Sequence, residues 1–585
     1  MYVALTGSKL NPDVYIMRSF RKPDGKTSSR IYRKLGKKSE LLLRFNGNEE
    51  EMLRWAKDEA AKDTLEFKEK TKNISVTLSQ VSCIPKNEDR CFNAGYLFLQ
   101  SLCTEIRLDN ICRKVRAHRR IGYDLGAILT DLIYARILSP SSKRSSYEYC
   151  KTLLEPPKYS LDQVYRSLSV MAGESDLIQE ELYRNSNFIH KRDTRILYYD
   201  CTNYYFEIEA EDGIKKYGKS KENRPNPIVT MGLFMDAEGI PLAFDVFPGN
   251  QNEQTTLKPL ETRIIRDYEC SEFIYCSDAG LGSAANRRFN SFGNRKYIIA
   301  QSLKKLKKED RISALDPTTF KLPGSDKNID LRMINESDRS VCENIYYKIL
   351  PTGNENTDEA LIVTYSPKYK AYQQRIRSGQ IERARKLIDQ PGKTRRGKSQ
   401  NDPARFIKKT ALTKDGEIAE KDLFDLDAER IEEEQKYDGF YAVVTNIDDD
   451  VQEILKINRR RWEIEENFRI MKTEFESRPV YVRREDRIRA HFLICYISLL
   501  VYRLLEQKLK EGGAPEYTCR QILDTLAGMK LTLLTKDSGY IPSYKRTDLT
   551  DDLHRIFGFH TDHEFMKKST IRSIIKNTRH LSSGD

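Results

Sequence analysis

The chain of 585 residues has no apolar run of membrane-spanning length. Its longest, Phe492 to Tyr502, is eleven residues and includes Ser498, against the roughly 20 that a spanning helix needs. Met1 to Leu10 lacks a basic segment followed by an apolar one, which argues against a secretory leader. The eleven cysteines are odd in number, scattered and never spaced as Cys-x-x-Cys. That pattern speaks against a disulfide framework or a zinc ribbon and for a reducing compartment. His560 and His563 have no neighbouring cysteines, so a zinc-finger pattern is missing as well. There is no internal repeat and no low-complexity tract beyond one basic stretch. Together these absences predict a soluble, intracellular protein with no membrane partner.

What is present is a folding composition, with 39% hydrophobic and 10% aromatic residues. The length suggests about three to five domains. Lys and Arg number 100 against 87 Asp and Glu, a net of +13. The excess is concentrated: residues 366–410 hold fourteen basic residues and three acids, a net of +11. A dense basic stripe suits nucleic-acid phosphates, with Arg395, Arg396 and Lys398 at its centre. The alternative reading is a solvated basic helix and loop.

Hydrophobic patterning divides the chain into six segments. Residues 1–90 read as a β-hairpin (Val14–Arg21 and Arg30–Leu35, turning at Pro23–Lys26) followed by a charged helix over 48–72. Residues 91–190 are helical, with Arg116, Arg119 and Arg120 marking either a DNA-reading domain or a packing domain. Residues 191–302 give three strands in meander (Ile196–Ile208 and two within Pro227–Phe247), a helix, a strand, a helix and a further strand at Lys296–Ser302. This is a mixed α/β sheet of the ribonuclease-H type. Residues 303–440 read as a mixed, partly β insertion that interrupts that core. Residues 441–512 return to it with a strand at Gly439–Asn446 and a long helical region, broken near Arg478-Pro479. Residues 513–585 read as a helical C-terminal region.

Two acids end apolar strand runs: Asp200 in Leu-Tyr-Tyr-Asp and Asp278 in Ile-Tyr-Cys-Ser-Asp. Strand ends are where open α/β sheets carry their sites, although an Asp also caps turns. A third acid comes from Ile457–Phe475. At about 100° per residue, Ile457, Ile464, Phe468, Met471 and Phe475 form a buried stripe, and Arg461, Glu465 and Lys472 cluster along its border. Glu463 and Glu466 point to solvent on that projection, which selects Glu465. A simple Arg461–Glu465 pair is the rival reading. Three converging carboxylates call for divalent metal, and oxygen-only ligands favour Mg²⁺ or Mn²⁺. Two such ions about 4 Å apart serve in-line phosphoryl displacement.

These residues resemble the DDE-type insertion-sequence transposases, specifically the class with a Tyr-Arg-Glu-Lys signature and a β-rich insertion before the catalytic Glu. Arg461, Glu465 and Lys472 fit the last three places of that signature. The Tyr place falls on Asn458. Asp200 followed by Thr202, and Asp278 followed by Gly280, resemble the first two acids, with spacings of 78 and 187 residues to the next acid. The segments Phe247–Asn250 and Arg478–His491 are also similar to family segments.

The resemblance implies a ribonuclease-H-like transposase that cuts the ends of its own element and joins the 3′-hydroxyls to target DNA. Asp200, Asp278 and Glu465 would be catalytic and metal-holding, with two Mg²⁺ or Mn²⁺ ions. Arg461 and Lys472 would contact phosphate, and the basic stretch would grip double-stranded DNA. Trp462 either stacks on an unpaired base or belongs to the core. A homodimer on DNA is implied. The rival functions are a metal-dependent endonuclease without strand transfer and a non-catalytic DNA-binding protein derived from a transposase.

Overall fold

The computed structural model describes residues 1–8, 11–21, 26–70, 74, 76, 78–81, 83–352, 358–389, 401–412, 421–535 and 538–580. The chain forms two compact units. The smaller comprises Met1–Glu88 with Leu534–Gly539. In it, strands Asp13–Arg21 and Thr27–Lys37 pair antiparallel as the hairpin pattern predicts, and Tyr2–Thr6 adds a third strand. The helix Glu49–Lys70 supplies Met52 and Ala56 to a small core with Val14 and Leu41.

The larger unit, Asp89–Leu533 with Tyr540–Asp585, is built on an eight-stranded mixed sheet. Its strands are β1 (Ile196–Tyr205), β2 (Ile228–Met235), β3 (Pro241–Pro248), β4 (Ile274–Ser277), β5 (Lys296–Gln301), β6 (Tyr346–Pro351), β7 (Ala360–Tyr365) and β8 (Phe440–Thr445). The spatial order is β3-β2-β1-β4-β5-β8-β7-β6. The first three strands form an antiparallel meander, β1, β4 and β5 run parallel, and the last three are antiparallel additions. This is the mixed sheet of the ribonuclease-H type that the sequence predicts. Two strands of the segment 303–440, β6 and β7, continue the sheet of the core, with β8 lying between them and β5.

The β2–β3 turn shows how sequence sets the meander. Asp236 accepts the amides of Glu238 and Ile240, both at 3.0 Å, and Gly239 supplies the positive φ of +79° that the turn requires. Both sheet faces are covered, so the central strands read as continuous apolar runs. On one face Leu197, Tyr199 and Cys201 pack with Leu257, Leu260 and Ile264 of the helix Leu257–Asp267. On the other, Tyr198, Tyr204, Cys276 and Ile298 join the main core.

That main core is organised by helices. We label α1 (Tyr96–Glu105), α2 (Leu125–Leu138), α3 (Leu161–Gly173), α4 (Val451–Arg459), α5 (Trp462–Arg469), α6 (Glu485–Glu511) and α7 (Asp548–Phe557). α6 is long and apolar enough to cross a membrane, but its apolar window is 89% buried inside the protein. It packs against α1, α2, α3 and β3, with the Tyr496 hydroxyl donating to the Leu242 carbonyl at 2.8 Å and the Phe492 ring 4.7 Å from Tyr204. The C-terminal region is helical with short strands, of which Lys530–Leu533 pairs antiparallel with Cys91–Asn93.

Because α6 joins the helical layer to the sheet, Leu499→Ala, at a position with no solvent exposure, is expected to destabilise the larger unit by about 2–5 kcal/mol. Met333→Ala, at an 84% exposed position, should change stability by less than about 0.5 kcal/mol. Denaturant unfolding of the two variants beside wild type checks this.

Candidate active site

The register of two parallel strands builds the site. Tyr198 of β1 stands opposite Cys276 of β4. Asp200 and Asp278 each lie two residues further on, so they share one level and one face of the sheet. The face is that of Tyr198 and Cys276, which belong to the main core. β4 ends at Ser277 while β1 continues to Tyr205, so Asp200 sits within its strand, at the level where its neighbour stops. Adjacent strands are about 4.8 Å apart, and at that spacing two carboxylates repel.

Each acid is anchored by backbone amides. Asp278 Oδ1 accepts from Gly280 N at 2.9 Å and Leu281 N at 3.2 Å. A Cβ at Gly280 would stand 3.1 Å from that oxygen, which accounts physically for the Asp-x-Gly pattern. Asp200 Oδ1 accepts from Cys201 N at 2.7 Å. Burial pushes Asp200 up to about 6; the Lys221 charge opposes the rise and the Asp278 charge adds to it.

Two further charged residues adjoin the two acids, and neither is apparent from sequence. Lys221 donates to the Cys201 carbonyl, and its backbone amide donates to Asn203 Oδ1 at 3.1 Å. Burial works to lower the Lys221 ammonium, but the carboxylates of Asp200 and Glu253 outweigh it and hold the group above its ordinary value. Glu253 pairs with Lys221 at 3.5 Å. The loops carrying the two meet where Gly249 lies tight against its neighbours: a Cβ there would come within 2.1 Å of the Ile228 carbonyl and 2.5 Å of the Lys216 carbonyl. The Phe247–Asn250 segment, which ends three residues before Glu253, was the available signal for that acid. Nothing in the polar stretch Gly218–Asn223 singles out Lys221.

The helix predicted over Ile457–Phe475 is three pieces. α4 ends at Arg459, α5 begins at Trp462, and Ile470–Glu474 is a π-turn. Ile464, Phe468, Met471 and Phe475 are buried as expected. The outer acids differ from the projection. Glu463 is mostly covered and pairs with Arg460 at 3.0 Å, and Glu466 pairs with Arg469 at 3.4 Å and with Arg503 of α6 at 3.8 Å. Glu465, placed by the projection at the core edge, is exposed. The projection assumed one neighbour, the sheet, whereas α6 covers a second face of α5: Arg503 also donates to Asn467 at 2.7 Å. Of the three border residues Glu465 is exposed, whereas Arg461 and Lys472 are partly covered.

Arg461 and Lys472 lie close to the sheet beside the two acids. The Tyr198 hydroxyl donates to the Ile457 carbonyl at 2.9 Å, and the Arg461 charge is felt at the buried Cys276 thiol. Arg461 and Glu465 do not pair; among the described residues neither makes a side-chain hydrogen bond or ion pair, and Arg461 Nη1 is buried without a partner. Lys472 lies 5.3 Å from the Tyr204 ring centroid and 3.5 Å from Glu222. Burial, then the Lys221 charge, brings Lys472 down to about 8, with Asp200 opposing. Trp462 is 57% exposed, so it does not belong to the core. Asn458, in the signature Tyr place, is buried and donates to the Tyr441 hydroxyl at 3.2 Å.

Hard oxygen donors facing a cation suit a divalent ion of the Mg²⁺ or Mn²⁺ kind, and Asp200, Asp278 and Glu253 are such donors around Lys221. The acids are not preassembled: among the described residues, three ligand atoms within 4.8 Å of one another occur only at His554, His560 and Asp562. A cavity of about 760 Å³ lined by Tyr96, Asp131, Tyr159 and Arg579 involves none of the predicted site residues.

The basic stretch is partly structural. Arg377 pairs with Asp438 and Arg405 with Glu434, both buried. Ser366 caps and Pro367 opens the helix Pro367–Ile388, which presents exposed Arg375, Arg383 and Arg385 without acid partners among the described residues. Arg395, Arg396 and Lys398 lie outside the described residues. In the helical segment, Arg116 and Arg120 are exposed without acid partners among the described residues, and Arg119 pairs with Glu174 at 2.8 Å.

Residues 191–501 match the family model described as transposase DDE domain. No curated protein matches. Among solved structures, a cryo-EM structure of the piggyBac transposase synaptic complex with hairpin DNA matches at 9% identity and a TM-score of 0.36, over 84% of this chain and 86% of that one. A Mos1 transposase paired-end complex with the left transposon end matches at 12% identity and a TM-score of 0.14, over 41% and 66%.

The raised Asp200 pKa has a stability consequence. In the metal-free chain the folded state favours the protonated acid, so its contribution is complete below about pH 4 and is lost as pH rises through about 6. Asp200→Asn is therefore expected to raise the Tm of the EDTA-treated protein at pH 7.5 and to leave it nearly unchanged near pH 4. Scanning calorimetry at the two pH values reads the difference.

Proposed function

The chain belongs to the transposase DDE-domain family, whose members are metal-dependent DNA cleavage and transfer enzymes, and from that premise we propose that it is an insertion-sequence transposase of the Tyr-Arg-Glu-Lys class. It cuts the ends of its element and joins their 3′-hydroxyls to target DNA. The observation that carries this reading is the side-by-side placement of Asp200 and Asp278 on parallel strands, with Lys472 close enough to feel the Asp200 charge and Arg461 the Cys276 thiol two residues before Asp278.

Asp200, Asp278 and Glu465 are the proposed holders of two Mg²⁺ or Mn²⁺ ions. The chemistry those ions supply when bound is activation of a water or 3′-hydroxyl and stabilisation of the leaving oxygen. The chain's own residues do the rest. Asp200 and Asp278 are held rigid by backbone amides, so their oxygens are preorganised. Glu465 is the adaptable member, unpaired on an open flank and free to approach as DNA binds. Lys221 offsets the carboxylate charge in the unloaded protein. Lys472 and Arg461, close to the sheet beside the two acids, position phosphate near the scissile bond. Exposed Trp462 is placed to stack on an unpaired base.

Arg375, Arg383 and Arg385, with Arg395, Arg396 and Lys398 beyond them in sequence, grip duplex flanking the cut, and Arg116 and Arg120 offer a second phosphate contact. Joining two ends in one complex requires a homodimer on DNA. A cytoplasmic, nucleoid-associated location suits these partners.

Strand-cleavage and strand-transfer assays with Mg²⁺ on DNA carrying the element's ends test the proposal. Asp200→Ala, Asp278→Ala and Glu465→Ala are each expected to slow cleavage by at least about 100-fold while leaving DNA binding largely intact. Cleavage without joining would identify an endonuclease, and tight binding without cleavage by wild type a non-catalytic DNA-binding protein. Replacing Arg375, Arg383 and Arg385 by Ala should weaken binding and reduce the log–log salt slope by about 0.9 for each phosphate that is no longer neutralised. An unchanged slope would make that helix a solvated face.

A further inference from the structure

A second cluster of side chains of metal-ligating type lies far along the chain from the acids. α7 ends at Gly558, whose φ of +71° reverses the chain. The reversal carries residues 559–563 back along the helix and brings His560 and Asp562 to His554, on its last turn. One ligand atom from each of His554, His560 and Asp562 lies within 4.8 Å of the others. His560 Nδ1 is 3.0 Å from Asp562 Oδ1, and His554 Nδ1 is 3.6 Å from Asp562 Oδ2. The imidazoles of His554 and His560 stack with centroids 5.3 Å apart, and His563 stacks on His560 at 5.4 Å.

His554 is the informative member. It is 1% exposed, and its Nδ1 is buried with no hydrogen-bond partner while aimed at Asp562. A buried, unpaired polar atom is costly unless something satisfies it. Its other nitrogen is already fixed: Nε2 lies 3.0 Å from the Thr561 hydroxyl, with the Thr561 amide at 3.2 Å. Thr561 is fully buried, and its hydroxyl also meets the Tyr544 hydroxyl at 2.9 Å. The Thr561 amide donates to Nε2, so in the unloaded protein the imidazole proton sits on Nδ1, facing Asp562. Ligation through Nδ1 would move that proton to Nε2, where the Thr561 hydroxyl at 3.0 Å can accept it.

We propose that His554, His560 and Asp562 bind one divalent ion of the Zn²⁺ class. Two imidazoles and one carboxylate select borderline ions such as Zn²⁺ or Co²⁺ over Mg²⁺. The site is therefore chemically distinct from the all-oxygen acids of the sheet. It has no Cys and no zinc-finger spacing, so the sequence pattern alone does not announce it. Its place suggests a structural clasp. Phe559, inside the looped segment, stacks on Phe98 of α1 at 4.6 Å, and His554 itself lies 5.7 Å from that ring. An ion here would fasten the end of α7 and its return loop as the lid over α1.

The full-length protein, stripped with EDTA and dialysed, should bind one equivalent of Zn²⁺ by calorimetric titration, and Co²⁺ should give the visible d–d absorption of a tetrahedral nitrogen–oxygen site. Zn²⁺ should raise the Tm. His560→Ala and Asp562→Asn, both on the loop and not in the helix core, should each weaken Zn²⁺ binding by about tenfold or more and abolish the Tm rise. The Asp200→Asn/Asp278→Asn double variant should keep both. Zn²⁺ binding that survives in the two loop variants and disappears in the double variant would assign the ion to the sheet acids and overturn the proposal. Absence of Zn²⁺ or Co²⁺ binding by the folded wild-type protein would overturn it equally.

Discussion

The parallel pairing of β1 with β4 is the constraint from which the site follows. A shift of one residue in that register would turn one of the two acids to the opposite face of the sheet. The register is held by side chains that alternate between two separate cores: Leu197, Tyr199 and Cys201 on one face, Tyr198, Tyr204 and Cys276 on the other. Asp200 and Asp278 take positions in the second series, where a buried apolar residue would otherwise stand. The cost is a desolvated carboxylate beside a second one, moderated by Lys221. Such an arrangement contributes nothing to stability, and a bound cation, as the proposed metal site would supply, would relieve it.

Much of this was legible in the sequence because the central strands are buried on both faces. Continuous apolar runs marked β1 to β5 to within a few residues, and the acids closing two of those runs were visible as a pair. The hairpin of the smaller unit was legible from alternation. The β content of residues 303–440 was also visible, but the membership of β6 and β7 in the main sheet was not, because β8 pairs with β5 across more than a hundred intervening residues and local patterning carries no information on such pairing.

The helix that carries Glu465 shows the limit of a one-dimensional reading. The turn at Arg460-Arg461 and the π-turn at Ile470–Glu474 contain neither Pro nor Gly, so nothing local announces them. The buried stripe survived both breaks because Ile464, Phe468, Met471 and Phe475 still meet the core. The outward faces did not, since Arg503 of α6, distant in sequence, draws in Glu466 and Asn467. Lys221 and Glu253 were hidden for a similar reason. Both stand in polar loops and acquire meaning only where Asn203 and Gly249 bring those loops over β1. The basic stretch was legible as charge but not as role, because Arg377 and Arg405 are consumed in buried ion pairs.

The central claim is that Asp200 and Asp278 form the floor of a divalent-metal site that Glu465 completes. Anomalous diffraction from crystals of the protein grown with duplex DNA and Mn²⁺ tests it most directly. The account predicts a manganese peak shared by the carboxylates of Asp200 and Asp278, with the Glu465 carboxylate drawn into the same coordination sphere. Manganese bound elsewhere, with no peak at that aspartate pair, would contradict it.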